Sequence, residues 1–133
     1  MIRSETLSIK IETSFERAWN FISNPENLHL WTVDFAIEKP EKNGDLYKVK
    51  TPRGVIDLFV KTNLVEGKID FYFGRGEDYA SSTSRLLAIP ECGEVEYYFT
   101  QSEPHNASPG LFEELVSNVK KELEILKDIL ESS

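Results

Sequence analysis

The chain of 133 residues contains a single cysteine, Cys92, and two histidines, His29 and His105. One cysteine excludes an internal disulfide and a zinc site built from several thiolates. Neither histidine has a second metal-binding side chain at helical or hairpin spacing. We therefore expect no metal site and no cofactor. Cys92 lies in a turn pattern without a histidine beside it, so its thiol has no feature that would make it a nucleophile.

Long apolar runs are also lacking, since no stretch is long and uncharged enough to cross a bilayer. The first five residues contain no apolar core typical of a signal peptide. We therefore expect a cytoplasmic protein that does not insert into a membrane.

Positive charge is scarce, with 15 Lys and Arg against 23 Asp and Glu and a formal net charge of −8. The positive residues are scattered, whereas a nucleic acid or an anionic membrane surface requires a basic stripe. The charge pattern therefore argues against a nucleic-acid partner. It leaves the oligomeric state open.

The first third of the chain predicts one strand followed by two short helices. Strict alternation over Leu7–Ile11 is typical of a half-buried strand. The segment Thr13–Glu16 has a capping-box pattern, which predicts a helix with Thr13 as its cap. Asn24-Pro25 then has the pattern of a cap and first residue of a second helical segment, which we expect to end near Trp31.

From Val33 to Phe99, short turns separate alternating segments that predict six antiparallel strands. The polar stretch from Gly74 to Ser84 is the longest predicted interruption. The apolar positions of the six strands are Val33, Phe35 and Ile37; Tyr47 and Val49; Ile56, Leu58 and Val60; Ile69, Phe71 and Phe73; Leu87 and Ile89; and Val95, Tyr97 and Phe99.

The turns predict how neighbouring strands pair. A two-residue turn at Pro52-Arg53 places Val49 opposite Ile56 on the apolar face, and Lys48 opposite Asp57 on the other face. A two-residue turn at Glu66-Gly67 likewise places Val60 opposite Phe73. Both registers bring apolar side chains together, which favours one curved sheet with a single apolar face.

The turn at Glu91–Gly93 allows two orientations of the strand before it. A three-residue loop turns Arg85 and Leu87 towards the apolar face. A two-residue loop turns Arg85 outward and brings Leu86 and Ala88 in. An inward guanidinium would need an anion, either from the protein or from a ligand.

After Ser108-Pro109-Gly110, about two dozen residues have the pattern of one amphipathic helix. A helix of this length spans about 30 Å, so its apolar stripe must be buried against the strands. The stripe consists of Phe112, Leu115, Val119, Leu123, Leu126 and Leu130.

The order of one strand, two short helices, six strands and a long helix resembles the helix-grip fold of the START-like superfamily (SRPBCC), which includes polyketide cyclases/dehydrases and lipid carriers. The resemblance covers nearly the whole chain, and the segments that carry it are Thr13–Trp19, Asn24–Trp31, Gly93–Tyr97 and Glu122–Glu131. It implies a single α+β domain over residues 1–133, with a seven-stranded antiparallel sheet curved around the C-terminal helix. It also implies a cavity between the sheet and the N-terminal half of that helix.

The function we expect is non-enzymatic binding of a small hydrophobic or amphipathic ligand in that cavity. An inward Arg85 would favour an acidic amphiphile with a carboxylate or phosphate. The residues expected to line the site are Trp31, Phe35, Tyr47, Val49, Ile56, Leu58, Phe71, Phe73, Arg85, Leu87, Tyr97, Phe99, Phe112, Leu115 and Val119.

Two alternatives stay open at this point. The first is an enzyme of the polyketide cyclase/dehydrase type in which Tyr47, Tyr97 and Arg85 orient the substrate. Such an enzyme needs an inward His or acidic residue as acid or base, and the strand pattern places none there. The second alternative is a co-chaperone-like protein-interaction module, which predicts an exposed apolar patch.

Overall fold

A computed structural model of the chain describes residues 3–75, 78–104 and 107–132, with the backbone alone at 75, 78 and 79. Its seven strands form one antiparallel sheet in the order β1-β7-β6-β5-β4-β3-β2. The predicted α+β helix-grip architecture is confirmed. The elements are β1 (Ser4–Ile11), α1 (Phe15–Ile22), a 3-10 turn (Pro25–Asn27), α2 (Leu28–Trp31), β2 (Glu41–Asn43), β3 (Leu46–Thr51), β4 (Gly54–Asn63), β5 (Lys68–Arg75), β6 (Asp78–Ile89), β7 (Glu94–Ser102) and α3 (Leu111–Glu131).

The long helix α3 packs mainly against β1 and β7, while α1 covers β6 and β7 and α2 contacts α3. Most of the predicted stripe of α3 is buried, but Leu115 is only half-buried and Val116 is buried in its place. A spacing of four and three residues from Phe112 leads to Val116 and Val119, because a helix repeats every 3.6 residues. Among the described residues, no helix has the length and apolar character needed to cross a membrane.

Both predicted caps of the short helices can be compared with the structure. The cap of α1 is Ser14 and not Thr13, because the Ser14 side chain accepts a hydrogen bond from the Arg17 amide at 3.2 Å. The Asn24 cap is confirmed, since its side-chain oxygen accepts from the Glu26 amide at 3.1 Å.

The predicted strand through Val33 and Ile37 is wrong, because this segment is an irregular loop and β2 lies at Glu41–Asn43, where a turn was expected. Asp34 interrupts the extended backbone with a φ of 55°, which a non-glycine residue rarely adopts. The alternation of apolar residues therefore does not produce two faces. Ile37 is 62% exposed, whereas the Phe35 ring still reaches Phe73, at 5.6 Å between centroids.

The register between β3 and β4 is confirmed, with Val49 opposite Ile56 and an ion pair between Lys48 and Asp57. The predicted register between β4 and β5 is wrong by two residues, since Val60 lies opposite Phe71 and not Phe73. The loop between these strands has four residues, from 64 to 67, instead of two. An even shift keeps every side chain on its predicted face.

The prediction of a three-residue loop before β7 is wrong, because Arg85 pairs with Tyr98 and Leu86 pairs with Tyr97. Arg85 and Leu87 therefore lie on the outer face of the sheet, and Leu86 is fully buried. The Arg85 Nε donates a hydrogen bond to the Glu66 carbonyl at 2.9 Å. The loop has four residues, 90–93. Four differs from two by an even number, so each side chain of β6 lies on the face that the two-residue alternative predicted.

The predicted interruption from Gly74 to Ser84 is wrong for most of its length, since β6 already begins at Asp78. Gly76 and Glu77 lie outside the described residues. Ser82 and Ser84 take inward positions on β6 and are buried. The sequence analysis missed this part of the strand because a strand is predicted from apolar side chains at inward positions, and these two are polar.

Gly67, the residue before β5, lies close to the backbone of β6. Its φ is 71°, and an added Cβ would overlap the Leu86 carbonyl oxygen of β6. Gly44 has a similar φ of 66° with nothing within 4 Å of an added Cβ. We expect Gly44→Ala to cost about 1–2 kcal/mol of unfolding free energy from the backbone conformation. Gly67→Ala should cost at least about 2 kcal/mol more, because the strands must also move apart.

Urea unfolding of both variants measures this difference. Equal losses for Gly67→Ala and Gly44→Ala would show that β5 and β6 do not approach each other closely at this point.

Candidate functional site

The inward side chains of β6 make an unusual strip in the concave face of the sheet. Ser82 lies opposite Phe71 on β5, and Ser84 lies opposite Phe99 on β7. Both serines are buried, and the Ser84 hydroxyl donates to the Ile69 carbonyl at 2.5 Å. Small polar side chains therefore stand between two rows of aromatic rings. They occupy less volume than the apolar side chains of neighbouring strands.

Two buried donors lie beside this strip. The Tyr97 ring is fully buried and meets Trp31 edge-on, with 6.5 Å between centroids. Neither the Tyr97 hydroxyl nor the Trp31 Nε1 has a hydrogen-bond partner among the described residues. A buried polar group without a partner costs about 1–3 kcal/mol. This part of the interior therefore retains unused hydrogen-bonding capacity.

Burial raises the pKa of the Tyr97 hydroxyl well above its usual value. The nearby Ser84 side chain lowers this pKa, and the charge of Glu122 raises it further. Ser84 is close to Tyr97 but donates its proton to the Ile69 carbonyl. Tyr97 thus stays a neutral donor at any ordinary pH.

Glu122 is a buried acidic residue on the inner side of α3, with 9% of its surface exposed. Its Oε2 accepts a hydrogen bond from the Val33 amide at 2.8 Å, which ties the loop after α2 to the helix. Burial raises the pKa of the Glu122 carboxyl to about 7. The Val33 hydrogen bond opposes this increase, and the charge of Asp34 adds to it.

These groups form one site, which we call the buried polar cluster: Trp31, Ser84, Tyr97 and Glu122. The Trp31 ring meets the Tyr97 ring, and Ser84 and Glu122 both shift the pKa of Tyr97. Glu122 also accepts a hydrogen bond from the amide of Val33, which lies two residues after Trp31. The cluster combines two unpaired donors with a carboxyl that titrates near neutral pH. It can bind a polar atom of a ligand or exchange a proton with it.

Eleven of the fifteen expected lining residues belong to the main apolar core or pack against it, and four do not. Arg85 and Leu87 lie on the outer face of the sheet, and Arg85 borders an outer concavity of about 490 Å³ with Lys68. Phe112 is buried beneath the Arg3 guanidinium, 4.7 Å from its ring centroid, and neither it nor Leu115 belongs to the main apolar core. The residues that do belong to this core are Trp31, Phe35, Tyr47, Val49, Ile56, Leu58, Phe71, Phe73, Tyr97, Phe99 and Val119.

Other candidate groups lie elsewhere. Cys92 is exposed, and its hydrogen bond to Glu94 raises the pKa of the thiol. His29 has a buried Nδ1 without a hydrogen-bond partner among the described residues, and His105 lies outside them. No group of three acidic, Cys or His side chains in the described part of the chain could hold a metal ion.

The sequence contained a signal for Glu122 that the interpretation missed. Glu122 follows Val119 by three residues and precedes Leu126 by four, so it lies on the apolar stripe of the helix. An acidic residue at such a position is seldom buried without a partner. The two serines of β6 gave no comparable signal, because strand polarity alone does not indicate burial.

No protein-family model matches the sequence, and a comparison with curated protein sequences finds no match. Solved structures with similar folds include an uncharacterised protein from Bacillus thuringiensis, with a TM-score of 0.75, 17% identity and coverage of 96% of this chain and 98% of that one. The Aha1 dimer from Colwellia psychrerythraea gives a TM-score of 0.74 at 17% identity, over 98% of this chain and 97% of that one.

A START superfamily protein from Mycobacterium smegmatis gives a TM-score of 0.69 at 10% identity, over 96% of this chain and 97% of that one. At these identities the similarity concerns the fold alone. The chain therefore has a START-like fold, as the sequence resemblance predicted.

Replacing Glu122 with Gln should change how stability depends on pH. The carboxyl titrates near 4.5 in an unfolded chain and near 7 in the native protein. Between these values rising pH deprotonates only the unfolded state, which lowers the wild-type unfolding free energy by about 1.4 kcal/mol per pH unit. Gln cannot titrate and keeps an oxygen for the Val33 amide. The variant should therefore gain stability relative to wild type across this range.

Urea unfolding across this pH range measures the effect, with Glu124→Gln, at an exposed position of the same helix, as the control. The control should keep a constant difference from wild type. A constant difference for Glu122→Gln as well would mean that Glu122 titrates normally in the native protein.

Proposed function

We propose that the protein binds a small, largely apolar molecule whose oxygen atom accepts hydrogen bonds from Tyr97 and Trp31. The observation that carries this proposal is the pair of buried donors without partners among the described residues. A ligand carbonyl or hydroxyl at this position would relieve the cost of both groups. The aromatic and aliphatic side chains around them favour an apolar body for the rest of the molecule.

The packing of α3 supports a binding space between this helix and the sheet. Its N-terminal residues Phe112, Leu115 and Val116 are not part of the main apolar core, whereas Val119 and the residues after it are. On the opposite wall, Tyr47 and Phe73 are only half-buried. Leu115 on the helix is also only half-buried, and partly exposed apolar side chains of this kind are where an apolar ligand gains most from binding.

The proposed ligand is not an acidic amphiphile. That expectation depended on an inward Arg85, and the guanidinium lies on the outer face. The ionised Glu122 would instead repel a ligand carboxylate in this poorly solvated interior. The hydrophobic or amphipathic character of the ligand remains part of the proposal.

Binding of 2-decanone and of decane tests the role of the donors, with displacement of Nile red as the readout. We expect the ketone to bind about tenfold more tightly than the alkane, which corresponds to one well-formed hydrogen bond. Tyr97→Phe should remove most of this advantage. Tyr98→Phe, which removes an outer-face hydroxyl bonded to Glu96, should leave it unchanged.

The Tyr97→Phe variant should fold at least as well as wild type, because it loses only an unpaired hydroxyl. If neither compound displaces Nile red, or if wild type binds both equally, the proposal fails.

A second candidate function is an enzyme of the polyketide cyclase/dehydrase type. The inward acidic residue that the sequence interpretation lacked is present as Glu122, and burial raises its pKa to about 7. An ionised Glu122 could remove a proton from the carbon beside a ligand carbonyl. The electron pair would form the enolate, and Tyr97 and Trp31 would donate hydrogen bonds to its oxygen.

Deuterium uptake by 2-decanone in D₂O, followed by NMR, tests this candidate. General base catalysis should accelerate exchange beside the carbonyl by about a hundredfold over buffer. Glu122→Gln should abolish the acceleration and Glu124→Gln should retain it. Uptake at the buffer rate with wild-type protein would exclude proton abstraction and leave the binding proposal standing.

A further inference from the structure

None of the described side chains that shift the pKa of Glu122 is positively charged. Among the described residues, Asp34 on the loop after α2 is the one charged side chain that shifts its pKa, and it has the same sign. Tyr97 on β7 is neutral, and His29 on α2 is not among the groups that act on Glu122. On α3 itself, Asn118 lies one turn before Glu122 and Leu126 lies one turn after it.

Hydrogen bonding compensates the carboxylate only in part. The hydrogen bond that the described residues give this carboxylate is the one that Oε2 accepts from the Val33 amide. A buried carboxylate is normally met by a cation or by several donors. The ionised form of Glu122 is therefore left with one donor and one repelling neighbour.

We propose that the ligand of this site carries, besides the oxygen atom that accepts from Tyr97 and Trp31, a protonated amine, which pairs with the Glu122 carboxylate while the apolar body lies against the aromatic rings. This inference rests on the proposed binding function and adds the class of the head group. An ammonium has three donors and the opposite charge, so it supplies what the described residues do not. The net charge of −8 also attracts a cation and repels an anion at long range.

Three ligands with the same ten-carbon chain distinguish the possible head groups: decylamine, 1-decanol and decanoate. Their affinities are measured by Nile red displacement at about pH 5.5 and about pH 8.5, on either side of the Glu122 titration. Decylamine stays protonated at both values. Its advantage over decanol should rise about tenfold at the higher pH, where Glu122 is ionised, and decanoate should bind more weakly than decanol there.

Glu122→Gln keeps an oxygen acceptor for the Val33 amide and should make the amine-to-alcohol ratio independent of pH. Glu124→Gln makes the same change in net charge at an exposed position, so it should behave as wild type. This control separates pairing with Glu122 from general attraction of amines to an acidic protein.

The outcomes separate this inference from the function on which it rests. Binding of decanol without a pH-dependent preference for decylamine overturns the amine head group and leaves the binding function intact. An equal preference in Glu122→Gln and wild type also overturns it. If none of the three ligands displaces Nile red, the binding function fails, and the inference fails with it.

Discussion

The burial of α3 against β1 and β7 is the contact on which the rest of the structure depends. Hydrogen bonds hold the helix at its C-terminal end, where Glu131 accepts from the Glu12 amide and Arg17 donates to the Ser132 carbonyl. At the other end, Glu113 forms an ion pair with Arg3, the residue before β1. Because both ends are held, the rotation of the helix is fixed. That rotation turns Glu122 towards Tyr97 and the loop after α2.

The sequence predicted the architecture because the order of elements depends on local patterns. The stripe of α3, the Asn24 cap and the Pro52-Arg53 turn are each determined by neighbouring residues. The loop lengths before β5 and β7 were not predictable in the same way. Four-residue loops occur at both places, and residues such as Glu66-Gly67 fit a two-residue turn equally well. The orientation of Arg85 depended on that length.

The candidate site was the least predictable part, because it consists of exceptions to the apolar pattern. Ser82, Ser84 and Glu122 all occupy inward positions at which the pattern expects apolar residues. Tyr97 and Trp31 were predicted to be inward, but their unpaired donors depend on the positions of all neighbouring side chains. Polar residues in a core usually lower stability. Their grouping in one place is therefore the strongest structural argument for a role beyond folding.

The four-residue loop between β4 and β5 also affects how this protein can vary. Side chains alternate along a strand, so gain or loss of two loop residues would move the pairing along without exchanging the two faces. Gain or loss of one residue would exchange the two faces of β4 relative to β5, so that the buried Leu58 would turn outward and the exposed Phe59 would turn inward. Related proteins can therefore shift the pairing of β4 with β5 in steps of two residues. Steps of one residue would expose the side chains that β4 now buries.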